Sequence, residues 1–147
     1  VANDEIMAKL DLVKGSTDLS TPCVTQRECA MYMTHYAFED HIKDNCKLYA
    51  KRRDAMCEAI KKYFPENVKC TYPHGGLFLW VELDESIDAR KLLLACIENN
   101  VAFVPGDSFF PASKKKNYFR LNFSYNDEAV IEEGIKRLGD AIKNYKA

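Results

Sequence analysis

An arginine within an alternating apolar segment is the first candidate for chemistry in this sequence. The segment covers residues 117–124 and reads NYFRLNFS. Successive side chains of a β-strand point to opposite faces, which places Arg120 opposite the apolar side chains Phe119, Leu121 and Phe123. A guanidinium carries five N–H donors in a planar fork that fits a carboxylate bidentately. Arg120 on a stiff strand therefore predicts a binding site for an anion such as a carboxylate.

Two simpler interpretations of Arg120 stay open at this point. A charge on a strand can be solvated, or it can pair with an Asp or Glu on a neighbouring element. Neither interpretation needs a ligand, and the segment alone does not choose between them and an anion site.

Composition bounds the class of protein. The chain has 147 residues, of which 47% are hydrophobic and 29% charged, with a formal net charge of −1. One globular domain is expected, and there is no net field to attract nucleic acid. The one run of lysines, residues 114–116, is expected at a solvated loop. No apolar stretch approaches the roughly 20 residues that span a bilayer, and the amino terminus lacks the pattern of a signal peptide, so a cytoplasmic protein is expected.

The six cysteines give no sign of a metal centre or a disulfide framework. They form no C-x-x-C pair, and they do not combine with the three histidines at the spacing of zinc ligands. Free thiols are expected throughout. The sequence also proposes no nucleophile, because no set of Ser, His and Asp stands out.

The apolar periodicity predicts helices followed by a mixture of strands and helices. Helices are expected from 4 to 13, from 21 to 36, from 38 to 64 where Pro65 ends the helix, from 86 to 98 and from 128 to 145. Strands are expected at 68–72, 77–81, 101–104 and 117–124. Thr21 and Ser86 are predicted N-caps. Phe78 and Trp80 are predicted core residues, because residues 77–81 resemble a strand buried on both faces.

This order of elements predicts an α/β (α+β) fold. The expected architecture is a small mixed β-sheet of about four strands, flanked by long helices that cover one face. The uncovered face, with Arg120 on it, needs water or another partner.

Three ordered segments resemble one known family. GGLFLW at 75–80, VAFVPG at 101–106 and NYFRLNFS at 117–124 occur in the order and spacing of the carboxy-terminal (small) domain of class I/II pyridoxal-phosphate-dependent aminotransferases, which are fold-type I enzymes. The branch that contains 2-aminoadipate and aromatic aminotransferases is the most similar. The resemblance covers residues 1–147 as one carboxy-terminal domain and leaves the large cofactor-binding domain outside the chain.

The resemblance implies specific roles. Arg120 aligns with the residue that binds the α-carboxylate of the amino-acid substrate. Pyridoxal 5'-phosphate is expected in the intact protein, held by a lysine and other residues of the large domain, so this chain alone is expected to be inactive. Amino acids and 2-oxo acids are the implied substrates, and a homodimer is the implied assembly.

Two other functions stay open. The same fold serves as the effector domain of GntR-type transcriptional regulators, in which a winged helix precedes it. A free-standing domain without a cofactor is the third possibility. The sequence does not identify which amino acid the parent protein would use.

Overall fold

The structure is a computed structural model that describes residues 2–112 and 115–145. Val1 and Lys114, which carry parts of the predictions above, lie outside these ranges. The chain divides into two compact units, Val1–Asp44 and Asn45–Ala147. The prediction of a single domain over 1–147 is not tested by this division.

The first unit contains helix α1 (Asp4–Thr17) and helix α2 (Cys23–His35). The Asn3 side chain caps α1 by accepting a hydrogen bond from the Ile6 N–H at 3.0 Å. The prediction that Thr21 caps α2 is wrong, because Pro22 occupies the cap position without a side-chain hydrogen bond. The Thr21 hydroxyl instead accepts a hydrogen bond from Lys14 at 3.3 Å.

Helix α3 (Phe38–Tyr63) begins in the first unit and continues into the second. Its 26 residues agree with the predicted long helix that ends before Pro65. At about 1.5 Å per residue it extends close to 40 Å. Its buried residues all lie in the second half of the helix and are Met56, Cys57, Ala59 and Ile60.

The second unit contains a four-stranded sheet with the order β1-β2-β4-β3. The strands are β1 (Lys69–Cys70), β2 (Phe78–Glu82), β3 (Val104–Pro105) and β4 (Tyr118–Asn122). Helix α4 (Ala89–Glu98) connects β2 to β3, and helix α5 (Glu128–Lys143) follows β4. The helix-flanked sheet of four strands is confirmed, but the expected mixture of parallel and antiparallel strands is corrected, because all three described pairings are antiparallel.

The core lies on one face of the sheet. Val81 pairs with Phe119 across β2 and β4, and Leu79 pairs with Leu121, so these four apolar side chains point the same way. They join the buried residues of α3, α4 and α5 in one cluster. The predicted cover of helices on one face is therefore confirmed.

Two local expectations differ from the structure. Asp88 caps α4 by accepting a hydrogen bond from the Arg90 N–H, because Ser86 is engaged in a turn in which its hydroxyl donates to Asp84 at 2.6 Å. Phe78 is 39% exposed, so β2 is not buried on both faces. Its alternation of buried and partly exposed residues is typical of an antiparallel strand with one open face.

Candidate functional site

Arg120 lies at the centre of β4 with a paired strand on each side. Its Cα is opposite Trp80 of β2 and opposite Val104 of β3. A backbone held by two ladders has little freedom to rotate. The side chain of Arg120 therefore leaves the sheet from a fixed point.

The alternation predicted from the sequence is observed on this strand. Phe119, Leu121 and Phe123 are 0%, 5% and 2% exposed and belong to the core. Arg120 is half-buried and lies on the opposite face, away from α3, α4 and α5. The open face thus contains a cation close to the middle of the sheet.

Two aromatic rings contact the Arg120 guanidinium. Its central carbon is 3.9 Å from the centre of the Phe78 ring and 4.8 Å from that of Phe109. Contacts of this kind stabilise a cation through the negative face of the ring. The N–H donors of a guanidinium lie at the edge of its plane, where they can still bind a carboxylate.

The donors of Arg120 have no partner among residues 2–112 and 115–145. Its Nε is buried and makes no hydrogen bond, and no described carboxylate forms an ion pair with it. A buried N–H without an acceptor costs free energy, so this arrangement favours an external acceptor. Within the described residues, neither simple alternative accounts for Arg120, because it is neither fully solvated nor paired with an acid.

A cavity of about 440 Å³ opens beside Arg120. Its polar lining includes Asn122 and Asn126, and its remaining wall is mostly apolar. Much of that wall comes from the helix-covered side of the sheet, with Met56 of α3 and Ile135 of α5, so the cavity extends from Arg120 toward α5 rather than over the open face alone. A largely apolar cavity with a few polar groups is the usual form of a small-molecule site. Its volume is within the range of cavities that hold small ligands.

The Gly75-Gly76 pair forms the turn before β2. Gly76 has a φ of +79°, a conformation that residues with a side chain rarely adopt. The space around both glycines is open, so a turn rather than a close approach of another group explains them.

Sequence reasoning missed the two rings around Arg120. Phe78 was expected in the core, and Phe109 received no role. A signal for Phe109 was present, since Phe109 and Phe110 follow a Pro-Gly turn where polar residues are the norm. The contact of Phe109 with Arg120 depends on the tertiary fold, and residue spacing in the sequence does not predict it.

The described residues do not fit the covalent attachment of an aldehyde cofactor. A lysine that performs this chemistry is shielded from water so that its pKa falls. Every lysine within the described residues is exposed, and a hydrogen bond from Lys61 to Glu58 raises the pKa of the Lys61 ammonium. A cofactor held by a buried lysine would need residues beyond those described.

The described part of the chain has no cluster of metal ligands and no helix that could span a membrane. No group of three or more His, Cys, Asp or Glu side chains could hold a metal ion there. None of its helices combines the length and the apolar character needed to cross a bilayer.

The family model and the sequence relatives that match this chain indicate the same protein family. A family model described as aminotransferase class I and II matches residues 1–138. Aromatic-amino-acid aminotransferase 1 of Thermococcus litoralis is 40% identical over 97% of this chain and 34% of its own length. The 2-aminoadipate transaminase of Thermus thermophilus is 35% identical over 100% of this chain and 37% of its own length.

Solved structures agree with the sequence relatives. A crystal structure of Pyrococcus horikoshii kynurenine aminotransferase, in complex with PMP, superposes with a TM-score of 0.88 at 45% identity, over 98% of this chain and 36% of that chain. An HTH-type transcriptional regulator of Escherichia coli is more distant, with 27% identity. The chain spans about a third of the length of the curated relatives it matches.

Proposed function

The chain belongs to the aminotransferase class I and II family, and from this premise we propose that its parent protein is a pyridoxal-phosphate-dependent aminotransferase. The parent would transfer an amino group between an amino acid and a 2-oxo acid. Residues 1–147 form its carboxy-terminal domain in this proposal, and Arg120 binds the substrate carboxylate. The observation that carries the proposal is the unpaired guanidinium of Arg120 on the open face of the sheet.

The role of Arg120 follows from its geometry. Two parallel N–H···O bonds to a carboxylate fix both the position and the orientation of the substrate. Because the strand holds Arg120 at a fixed point, the bound carboxylate sets the direction in which the Cα–H bond points. Such orientation lowers the barrier by removing rotational and translational freedom before the reaction. Arg120 thus binds and orients but transfers no proton.

The cofactor belongs to the part of the parent outside this chain. When bound there, pyridoxal 5'-phosphate supplies the electron sink for amino transfer. We expect the 147-residue chain alone to show no transaminase activity, because its described lysines are all exposed.

The partners and compartment are part of the same proposal. Ile6, Leu10 and Val13 of α1 are 49%, 51% and 60% exposed, which supports a cover by the rest of the parent or by a second subunit of a homodimer. Six free cysteines support the reducing cytoplasm as its location. The regulator alternative is not favoured, since the enzymes share 35–40% identity with this chain and the regulator shares 27%.

Substitution of Arg120 in the full-length parent tests the proposal. Arg120→Ala is expected to weaken carboxylate binding by roughly 2–5 kcal/mol, the loss for a charge-assisted pair with one partner removed. Arg120→Lys keeps the charge but loses the fork, so its loss should be smaller than that of Arg120→Ala. Substrate affinity can be measured by titration of the cofactor absorbance with amino acids.

A matched control is available on α5. Arg137 is exposed and pairs with Glu133 at 2.8 Å, so Arg137→Ala removes an arginine without touching the open face. Unchanged carboxylate affinity in Arg120→Ala would contradict the assignment of Arg120. Absence of any cofactor absorbance in the parent would favour the free-standing domain instead.

A further inference from the structure

We infer that Arg90 is a positioning residue for the carboxylate site, because it anchors the turn that places Phe109 against Arg120. This inference rests on the proposed function and assigns a role to a residue that does not contact Arg120. Two contacts and a turn make up the connection. Arg90 contacts Asp107, the turn leads from Asp107 to Phe109, and Phe109 contacts Arg120.

Arg90 makes two hydrogen bonds to the turn. Its Nε donates to Oδ2 of Asp107 at 2.5 Å, and its Nη2 donates to Oγ of Ser108 at 3.1 Å. The first bond holds the pKa of the Asp107 carboxyl below its ordinary range, so the pair is ionised near neutral pH. A guanidinium that holds two successive residues fixes the rotation of the turn as well as its position.

Arg90 itself is attached to a firmly held element. It occupies the first turn of α4, where Asp88 caps the helix and accepts from the Arg90 N–H at 2.9 Å. Leu92 and Cys96 of the same helix are 0% exposed and fix α4 in the core. The bonds from Arg90 therefore connect the turn to the hydrophobic core.

The turn in question is a short 3-10 helix, Asp107–Phe109. The Gly106 N–H donates to the Tyr118 carbonyl at 2.7 Å, which attaches the start of the turn to β4. Phe109 then meets Trp80 edge-on at 5.8 Å and the Arg120 guanidinium at 4.8 Å. Phe109 is 47% exposed, so few packing contacts hold its ring in place.

The two rings at Arg120 differ in how they are held. Phe78 belongs to β2 and is fixed by the sheet, whereas Phe109 belongs to a turn outside the sheet. Without the bonds from Arg90, the turn keeps its backbone bond at Gly106 and the ring contacts of Phe110 with Trp80 and Tyr118, whereas the exposed Phe109 gains freedom. The guanidinium of Arg120 would then sample more orientations, and fewer of them would accept a carboxylate bidentately.

Binding of a matched pair of ligands to the full-length holoprotein tests this role. The probes are 3-phenylpropanoate and its neutral amide, measured by calorimetry. Arg90→Ala is expected to weaken binding of the carboxylate about two- to tenfold, the range for loss of one cation–ring contact, and to leave binding of the amide unchanged. Ser108→Ala removes only the 3.1 Å bond and should give a smaller loss for the carboxylate alone, which keeps the test usable if Arg90→Ala does not fold.

Combination with Arg120→Ala separates positioning from general stability. If Arg90 acts through Arg120, Arg90→Ala has no further effect on carboxylate binding in the Arg120→Ala background. An equal loss for both ligands, or the same loss in that background, would show that Arg90 only stabilises the fold and would overturn the inference. Arg137→Ala serves as the surface control, with no change for either ligand.

The outcomes also separate this inference from the proposed function. If Arg120→Ala weakens carboxylate binding and both Arg90→Ala and Ser108→Ala do not, only the role of Arg90 is wrong. If Arg120→Ala has no effect, or the wild-type protein does not prefer the carboxylate to the amide, the proposed function fails and the role of Arg90 fails with it.

Discussion

The guanidinium of Arg120 lies over the ring of Phe78, with 3.9 Å between its central carbon and the ring centre. The two residues belong to adjacent antiparallel strands, where Phe78 is paired with Asn122, two positions after Arg120. Such diagonal neighbours share one face of the sheet and are within reach of a long side chain and an aromatic ring. The sheet register therefore brings the Phe78 ring to the Arg120 guanidinium.

Phe78→Leu in the full-length parent is the first prediction. Leucine keeps an apolar side chain on β2 but removes the contact between ring and cation, so carboxylate affinity should fall by about 0.5–2 kcal/mol. Titration with an amino-acid substrate measures the change. Tyr125 and Phe78 both line the cavity beside Arg120, and Tyr125 is 87% exposed. Tyr125→Leu is therefore the control for loss of an aromatic ring from this cavity. Equal effects of the two substitutions would count against a specific role for Phe78.

Gly106→Ala should destabilise the fold. A Cβ at this position would lie 2.7 Å from both Cη2 of Trp80 and Cβ of Tyr118, and 2.9 Å from the Tyr118 backbone carbon. Since the backbone of β4 cannot retreat without breaking its ladders, we expect a loss of about 1–3 kcal/mol in the free energy of unfolding. Urea denaturation of the chain measures it.

Gly134→Ala is the matched control for this substitution. Gly134 lies within α5, and the nearest atom to an added Cβ is Cγ2 of Val101 at 3.9 Å, an ordinary contact. Alanine favours a helix interior over glycine by roughly 0.5–1 kcal/mol, so this variant should be more stable than the wild type. A neutral Gly106→Ala would show that the close approach of Trp80 and Tyr118 does not limit packing at this position. An equal loss of stability in Gly134→Ala would show that the cost does not come from lack of space.

Tyr72→Phe should raise the pKa of Asp54. The Tyr72 hydroxyl donates to Oδ1 of Asp54 at 2.8 Å, and this bond, followed by the one from Arg53, holds the pKa of the Asp54 carboxyl below its ordinary value. A lowered pKa in the folded state contributes stability above the unfolded value of about 4, and the contribution is lost as pH falls through the lowered pKa. Carboxyl NMR titration should therefore show the Asp54 midpoint moving upward in Tyr72→Phe.

Asp84 provides an internal reference in the same titration. Hydrogen bonds from Ser86 lower the pKa of Asp84, and Tyr72 is not among their donors. Its midpoint should be unchanged in Tyr72→Phe. A shift of both carboxyls would indicate a general change of the fold rather than loss of one hydrogen bond.

The sequence predicted those features of the fold that depend on local periodicity. The alternation at 119–123 placed Arg120 on the open face, and the apolar stripe before Pro65 gave the long helix α3. The two faces of β4 follow from side-chain spacing alone, because a strand has a period of two. For this reason, the sequence alone identified Arg120 as a candidate binding residue.

Features that depend on distant residues were not predicted. Strand β3 comprises only Val104–Pro105 instead of the expected 101–104, and its pairs are Val104 with Arg120 and Pro105 with Phe119. The all-antiparallel pairing depends on how the strands connect in space, which side-chain periodicity does not report. The rings of Phe78 and Phe109 reach Arg120 through the register of the sheet and the turn after β3. These contacts depend on how separate elements pack together, so the side-chain pattern of a single strand does not predict them.

The cysteines of the 147-residue chain should divide into two groups by their reactivity with iodoacetamide at pH 8. Cys23, Cys29 and Cys46 are exposed, whereas burial raises the pKa of Cys57, that of Cys70 to about 12 and that of Cys96 to about 11. Because the thiolate is the reacting form, these three thiols should alkylate far more slowly than the exposed three. Peptide mapping by mass spectrometry measures the rates, and the same reaction in denaturant should label all six cysteines alike. Rapid labelling of Cys57, Cys70 or Cys96 without denaturant would show that the part of the core around that thiol opens on the time scale of the reaction.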